Sequence, residues 1–321
     1  MTAAPEWRFD PLTGRHVLIS PDRAERPIRP TGACPFCEGH ESETPPEVLA
    51  FRDPPSPPNG PDWQVRVVPN RYAAVRLDPR LSAGSATGGQ TPKLREPGVG
   101  VAEVFLECPH HETVFRNLPP AQAALAVRAW RDRLRFWRDD GRLAFALVFK
   151  NEGPIAGASV EHCHSQLIGL PFVPPVVEEE LVLAGPGCVF CGWIAAEARG
   201  PLHVAESDRF IALCPAAPRF PGETWVLPQR HTLAFESLTD SEADELAAFV
   251  QDLLRRVDRA FSGPDFNLIV KSAPFRPPTP YHWRLELLPR TITAGGWEWG
   301  TGLDINTMFP EQAATFLRAA T

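Results

Sequence analysis

One order of features occurs twice in this chain, and that duplication limits its fold more than anything else in the sequence. Cys34-Pro35-Phe36-Cys37 is answered by Cys188-Val189-Phe190-Cys191, and each pair is followed by an apolar run leading to a histidine: Val104-Phe105-Leu106 before His111, Trp225-Val226-Leu227 before His231. A helix-period stretch comes next in both, Ala121 to Trp137 and Ser241 to Phe261. The second opens with a capping-box pattern, Thr239 with Glu242 three residues on. Strand-like runs then match, Phe145 to Lys150 with Phe266 to Lys271, and Glu161 to Leu167 matches Tyr281 to Leu287. The interval from His111 to His162 equals that from His231 to His282, 51 positions in each. Matched order with matched spacing predicts two copies of one α+β unit. The length of 321 residues agrees, at roughly twice a typical domain of about 150.

The copies are not identical. His164 in the first is replaced by Arg284 in the second, and Gln166 by Glu286. The first copy is also longer between its second cysteine and first histidine, 74 positions against 40, with the excess around residues 78 to 100. The small-residue run from Ser82 to Gly89 there reads as a flexible loop, either linker or lid.

Composition narrows the class. Hydrophobic residues at 43% and charged residues at 22% fit an ordinary globular protein, and no apolar run reaches the roughly 20 residues of a membrane span. The start, Met1 to Arg8, has neither a basic nor an apolar leader segment, so a cytoplasmic location without membrane partners is expected. A net charge of −7 disfavours nucleic acid as a partner while allowing a few arginines in a phosphate pocket. The 37 prolines, more than twice the usual share of roughly 5%, cluster in loops.

Both Cys-x-x-Cys pairs lie in Pro/Gly-rich turns rather than in a thioredoxin-like βαβ context, which favours metal binding over redox chemistry. Each copy then offers two thiolates and two imidazoles, a set suited to tetrahedral zinc, two ions per chain. The sets are Cys34, Cys37, His111 and His162, and Cys188, Cys191, His231 and His282. The alternative is that these are ordinary core and surface residues. On a strand, His162, His164 and Gln166 would share a face. With His162 on a metal, His164 is free to attack phosphorus as a neutral imidazole, and Gln166 can donate to a phosphate oxygen. The competing assignment makes His164 a third ligand of a catalytic zinc.

The segment His162-Cys163-His164-Ser165-Gln166 resembles the H-x-H-x-Q signature of the galactose-1-phosphate uridylyltransferases of the histidine-triad superfamily. Ser20 to Pro27, Cys34-Pro35-Phe36-Cys37, Val68 to Ala74, and Asn151 after Phe149-Lys150 are similar to the same family. The resemblance implies tandem duplicated histidine-triad-like domains, each an antiparallel sheet with a packed helix: residues 1–175 catalytic, and 176–321 a degenerate copy contributing to substrate binding. It implies a homodimer with sites near the subunit interface. It also implies ping-pong transfer of UMP from UDP-glucose to galactose 1-phosphate, the sugar 1-phosphate acceptor, through a covalent nucleotidyl-histidine. Carried onto this chain, His164 is the nucleophile and Gln166 and Ser159 meet the phosphates. Arg23 and Arg26 lie close to phosphate groups, Asn70 and Asn151 near the nucleotide, and Glu298 in the hexose region. Cys163 departs from the proline usual between the two histidines. Gly295 to Asn306 looks closer to the ADP-glucose phosphorylase branch, as does the second Cys₂His₂ set. ADP-glucose or a dinucleoside polyphosphate, with inorganic phosphate as acceptor, is therefore the second enzymatic reading. A zinc-stabilised nucleotide-binding protein without turnover is the third.

Overall fold

The computed structural model describes residues 4–25, 32–82, 94–184, 187–277 and 280–321. Arg26 and most of the small-residue run lie outside the described residues. In chain order the elements are β1 (Glu6–Phe9), β2 (His16–Ile19), β3 (Leu49–Phe51), β4 (Val65–Pro69), β5 (Arg95–Pro97), β6 (Val101–Leu106), α1 (Pro120–Asp140), β7 (Phe145–Glu152) and β8 (His164–Leu170). They continue with α2 (Pro175–Ala184), α3 (Val189–Glu197), β9 (His203–Glu206), β10 (Phe210–Leu213), β11 (Thr224–Pro228), α4 (Asp240–Phe261), β12 (Phe266–Lys271), β13 (Arg284–Pro289), α5 (Gly296–Thr301) and α6 (Pro310–Ala319).

The duplication is visible in the strand order. The main sheet runs β3-β4-β6-β8-β7-β12-β13-β11-β10-β9, so reading inward from either edge gives the same five-strand arrangement. Every pairing in it is antiparallel, and β7 against β12 joins the halves into one sheet. The fold is thus α+β with antiparallel sheets. A small second sheet, β2-β1-β5, lies apart from the ten strands.

Helix ends follow local chemistry. α1 begins with Pro120 at its first position, where the missing N–H costs nothing, and stops at Gly141, whose φ of 75° suits a residue without Cβ. α4 carries the expected capping box: the Thr239 hydroxyl accepts from the Glu242 backbone N–H at 3.3 Å, and Glu242 accepts from the Thr239 N–H at 2.8 Å. α1 and α4 lie against each other, bridged by Arg128 on Asp244 at 2.7 Å, and cover one core shared by both halves. Trp130 and Trp137, seven apart on α1, are both buried there, as their spacing predicts. Among the described residues, no helix is long and apolar enough to cross a membrane.

One correspondence shifts. The sequence match sets Lys150 opposite Lys271, but the ladders place them differently. Gln166 faces Phe149 across β8 and β7, and Glu286 faces Ile269 across β13 and β12, so Lys150 stands where Val270 stands. One position flips the face of a strand. Lys150 is buried, whereas Lys271 pairs with Glu180 of α2 at 2.7 Å.

Between α1 and β6, Arg133 donates through two nitrogens to Glu103, at 2.8 and 2.5 Å, and both side chains are buried. Arg133→Met strands the carboxylate, with only the Trp137 indole N–H, among the described residues, left on it at 3.0 Å. A loss of about 3 to 5 kcal/mol is expected from the urea midpoint. An unchanged midpoint would show that the pair contributes nothing.

Candidate active site and metal centres

The first Cys₂His₂ cluster gathers three distant segments. Cys34 and Cys37 lie in the long connection before β3, His111 follows β6, and His162 stands just ahead of β8 rather than on it. Their ligand atoms all fall within 4.8 Å of one another, as do those of Cys188, Cys191, His231 and His282. The ring orientations fit a metal. His162 turns Nδ1 toward the sulfurs of Cys34 and Cys37, at 3.6 and 3.7 Å, while Nε2 donates to the Cys108 carbonyl at 3.0 Å. His282 repeats this, with Nδ1 3.5 and 3.6 Å from Cys188 and Cys191 and Nε2 donating to the Pro228 carbonyl at 2.9 Å. A carbonyl only accepts, so it fixes the proton on Nε2 and leaves the Nδ1 lone pair for an ion. Burial and the neighbouring Cys34 push the Cys37 thiol up to about 11, and burial holds His162 down to about 4. A divalent cation supplies the compensating charge that the thiolates need.

Beyond the first cluster, His164 opens β8, paired with Leu106, and Gln166 follows on the same face, paired with Val104. Both line a cavity of about 640 Å³ with Phe36, Asn70, Arg71, Tyr72 and Ser159. His164 Nδ1 donates to the His162 carbonyl at 2.6 Å, which leaves the Nε2 lone pair unprotonated. Burial pushes its imidazole down to about 4, so the neutral form prevails near pH 7. Because Cys34, Cys37, His111 and His162 make up the cluster, His164 stands outside it, against the third-ligand alternative. Ser159 also lines this wall, and among the described residues its buried hydroxyl oxygen has no hydrogen-bond partner.

Other sequence candidates are less central in the single chain. Arg23 donates to the Tyr72 carbonyl at 3.3 Å, behind the cavity wall. Asn70 is on the wall, its Oδ1 accepting from the Tyr72 N–H at 2.9 Å. Asn151 lines a separate cavity of about 260 Å³ and accepts from the Asn267 amide at 2.9 Å. Glu298 is turned back on its own helix, accepting from the Gly295 N–H at 2.8 Å, and does not line the main cavity.

Two groups escaped the sequence reading. Phe36 sits edge-on to His164, ring centroids 5.4 Å apart, and the phenylalanine shared by both Cys-x-Phe-Cys pairs was the available signal. Beneath the His-x-His segment, buried Lys150 donates to Glu107 at 2.7 Å and to the His164 carbonyl at 3.1 Å. Burial, its largest influence, lowers the Lys150 ammonium, and the facing Cys163, Glu107 and Glu152 nonetheless hold it above the ordinary lysine value.

The corresponding place in the second half is filled. Arg284 donates to Glu286 at 2.8 Å, reaches Glu180 at 3.3 Å, and lies over Trp225 with its guanidinium carbon 4.7 Å from the ring centre.

A tautomer-fixed histidine in a cavity of about 640 Å³ beside a Cys₂His₂ cluster is an arrangement suited to nucleotidyl transfer. Residues 1–174 match the family model described as galactose-1-phosphate uridyl transferase, N-terminal domain, and the chain belongs to that family. It is 32% identical to an ADP-glucose phosphorylase of Arabidopsis thaliana over 98% of this chain and 93% of that relative. It is 27% identical to a galactose-1-phosphate uridylyltransferase of Thermotoga maritima over 98% of each. The crystal structure of an Arabidopsis thaliana ADP-glucose phosphorylase with bound ADP-glucose superposes with a TM-score of 0.76 at 33% identity, covering 98% of this chain and 99% of that one.

Because the first cluster spans Cys34 to His162, Cys37→Ser is expected to lower bound metal from two ions per chain to one and to reduce the melting temperature. Full metal content with unchanged melting would show that these four residues hold no ion.

Proposed function

We propose that this chain moves a nucleoside monophosphate from a nucleotide sugar to a phosphate-bearing acceptor through a covalent intermediate on His164. The observation that carries the reading is the 2.6 Å hydrogen bond from His164 Nδ1 to the His162 carbonyl, which presents an unprotonated Nε2 at the cavity wall. In the first half-reaction Nε2 attacks the α-phosphorus and the bond to the bridging oxygen breaks, so sugar 1-phosphate departs with the electron pair. In the second, an acceptor phosphate oxygen attacks the same phosphorus and the N–P bond returns its electrons to the ring. Gln166 and the partnerless Ser159 hydroxyl are placed to donate to phosphate oxygens as charge shifts.

The first substrate reading is UMP transfer from UDP-glucose to galactose 1-phosphate, supported by the residue-level resemblance and the Thermotoga relative. The second is phosphorolysis of ADP-glucose, favoured by the higher identity to the Arabidopsis phosphorylase, 32% against 27%. In both, residues 1–175 form the catalytic unit, and 176–321 form a degenerate copy supporting substrate binding. Zinc in both clusters would tie loops to the sheet, its role being structural. The reading includes a cytoplasmic homodimer; Trp297 and Trp299 of α5, 54% and 80% exposed, are apolar surface that a partner subunit would cover. Arg23 and Arg26 would then meet phosphate groups across the dimer, with Asn151 near the nucleotide and Glu298 in the hexose region.

Intact-protein mass after mixing with UDP-glucose or ADP-glucose, without acceptor and quenched at alkaline pH, is expected to rise by one nucleotidyl group. The base of the adduct selects the donor. His164→Gly is expected to abolish the adduct with metal content intact. Adduct formation by His164→Gly, or none by metal-replete wild type, would overturn the assignment.

A further inference from the structure

The duplication supplies an internal control for the polar residues under the nucleophile. Lys150, Glu107 and Cys163 are all buried, 2%, 0% and 1% exposed, and are linked: Lys150 donates to Glu107 at 2.7 Å, and the Cys163 thiol donates to the same oxygen at 3.0 Å. Lys150 also reaches the Cys163 sulfur at 3.3 Å and the His164 carbonyl at 3.1 Å. In the second half, the equivalents by ladder register are apolar. Val270 replaces Lys150, Leu285 replaces Ser165, and Trp283, directly before Arg284, takes the place that Cys163 has before His164; Leu227, one residue ahead of the Pro228 carbonyl that binds His282, stands where Glu107 stands ahead of the Cys108 carbonyl that binds His162. Val270, Trp283 and Leu285 all sit in the shared core.

The same sheet therefore closes without charges at this position. A buried ion pair seldom adds stability over apolar residues of similar volume, and this one leaves Glu107 Oε1 buried without a hydrogen-bond partner among the described residues. The pair occurs in the half that carries His164 and is absent where Arg284 has replaced it. Lys150 does not line the cavity of His164, so its reach to the chemistry runs through the backbone.

We propose that Lys150, anchored by Glu107, is a positioning residue for the nucleophile: its ammonium holds the His164 carbonyl, and so fixes the backbone from which the imidazole projects. This rests on the reading of His164 as the attacking group. Small displacements of a reacting atom cost large factors in rate while leaving ground-state binding nearly untouched.

The test is Lys150→Met combined with Glu107→Leu, which removes both charges together and leaves net charge unchanged. Rapid-quench formation of the nucleotidyl-enzyme over a series of UDP-glucose and ADP-glucose concentrations separates rate from binding. Relative to wild type, the saturating rate is expected to fall roughly ten- to a hundredfold. The half-saturating concentration, melting temperature and metal content should be unchanged. An unchanged saturating rate would overturn the proposal, as would failure to fold, which would make the pair structural. If the wild type itself forms no adduct with either donor, the reading of His164 falls and this proposal falls with it; equal rates in both proteins would remove the positioning role alone.

Discussion

Where β7 meets β12, from Phe266 opposite Glu152 to Val270 opposite Val148, two five-stranded units become one sheet. This ladder covers one edge of each unit, β7 and β12, that the unit alone would present to aggregation. It also brings α1 and α4 alongside each other, so that Phe115, Trp130, Phe235 and Trp283 belong to one continuous apolar layer. The loop ends of β7 and β12 are joined as well, through the Asn267 amide on Asn151. Each half thereby supplies a wall against which the other's loops can settle.

Given that shared frame, the two halves diverge on opposite faces of the sheet. On the cavity face, the first half keeps His164 and Gln166 in an open pocket, while the second fills the same place with Arg284, which lies over the Trp225 ring and pairs with Glu286 and Glu180. On the helix face the assignment is reversed: charge lies under His164 in the first half, and Trp283, Val270 and Leu285 pack under Arg284 in the second. Both halves nevertheless retain a Cys₂His₂ cluster with the same ring orientation. The four-residue clusters were kept in both halves where His164 was not.

Much of this was legible in the sequence because it depended on short-range chemistry or on exact repetition. The capping box at Thr239, the two metal-ligand sets and the α1 tryptophans needed only spacing. Lys150 was misaligned by one residue, since similar apolar runs ending in lysine match in sequence without revealing pleat direction; the ladder register decides that. His162 was expected on the strand with His164, but its ring is committed to the cluster and its carbonyl to His164 Nδ1, so the strand starts two residues later. The link from Glu107 to Lys150 spans 43 positions and has no local pattern to reveal it. Asn151 and Glu298, placed at the site by resemblance, line a separate cavity and turn back on α5, respectively, because a motif carries residue identity without carrying the direction a side chain takes.

The hydrogen bond between His164 Nδ1 and the His162 carbonyl also bears on how the intermediate would leave. With its proton held on Nδ1 throughout, a phosphorylated Nε2 makes the ring cationic, and a cationic imidazole is a far better leaving group than an anionic one. The carbonyl that exposes the lone pair for capture thus prepares the same nitrogen for release. Neither half-reaction would then call for a proton to enter or leave the ring.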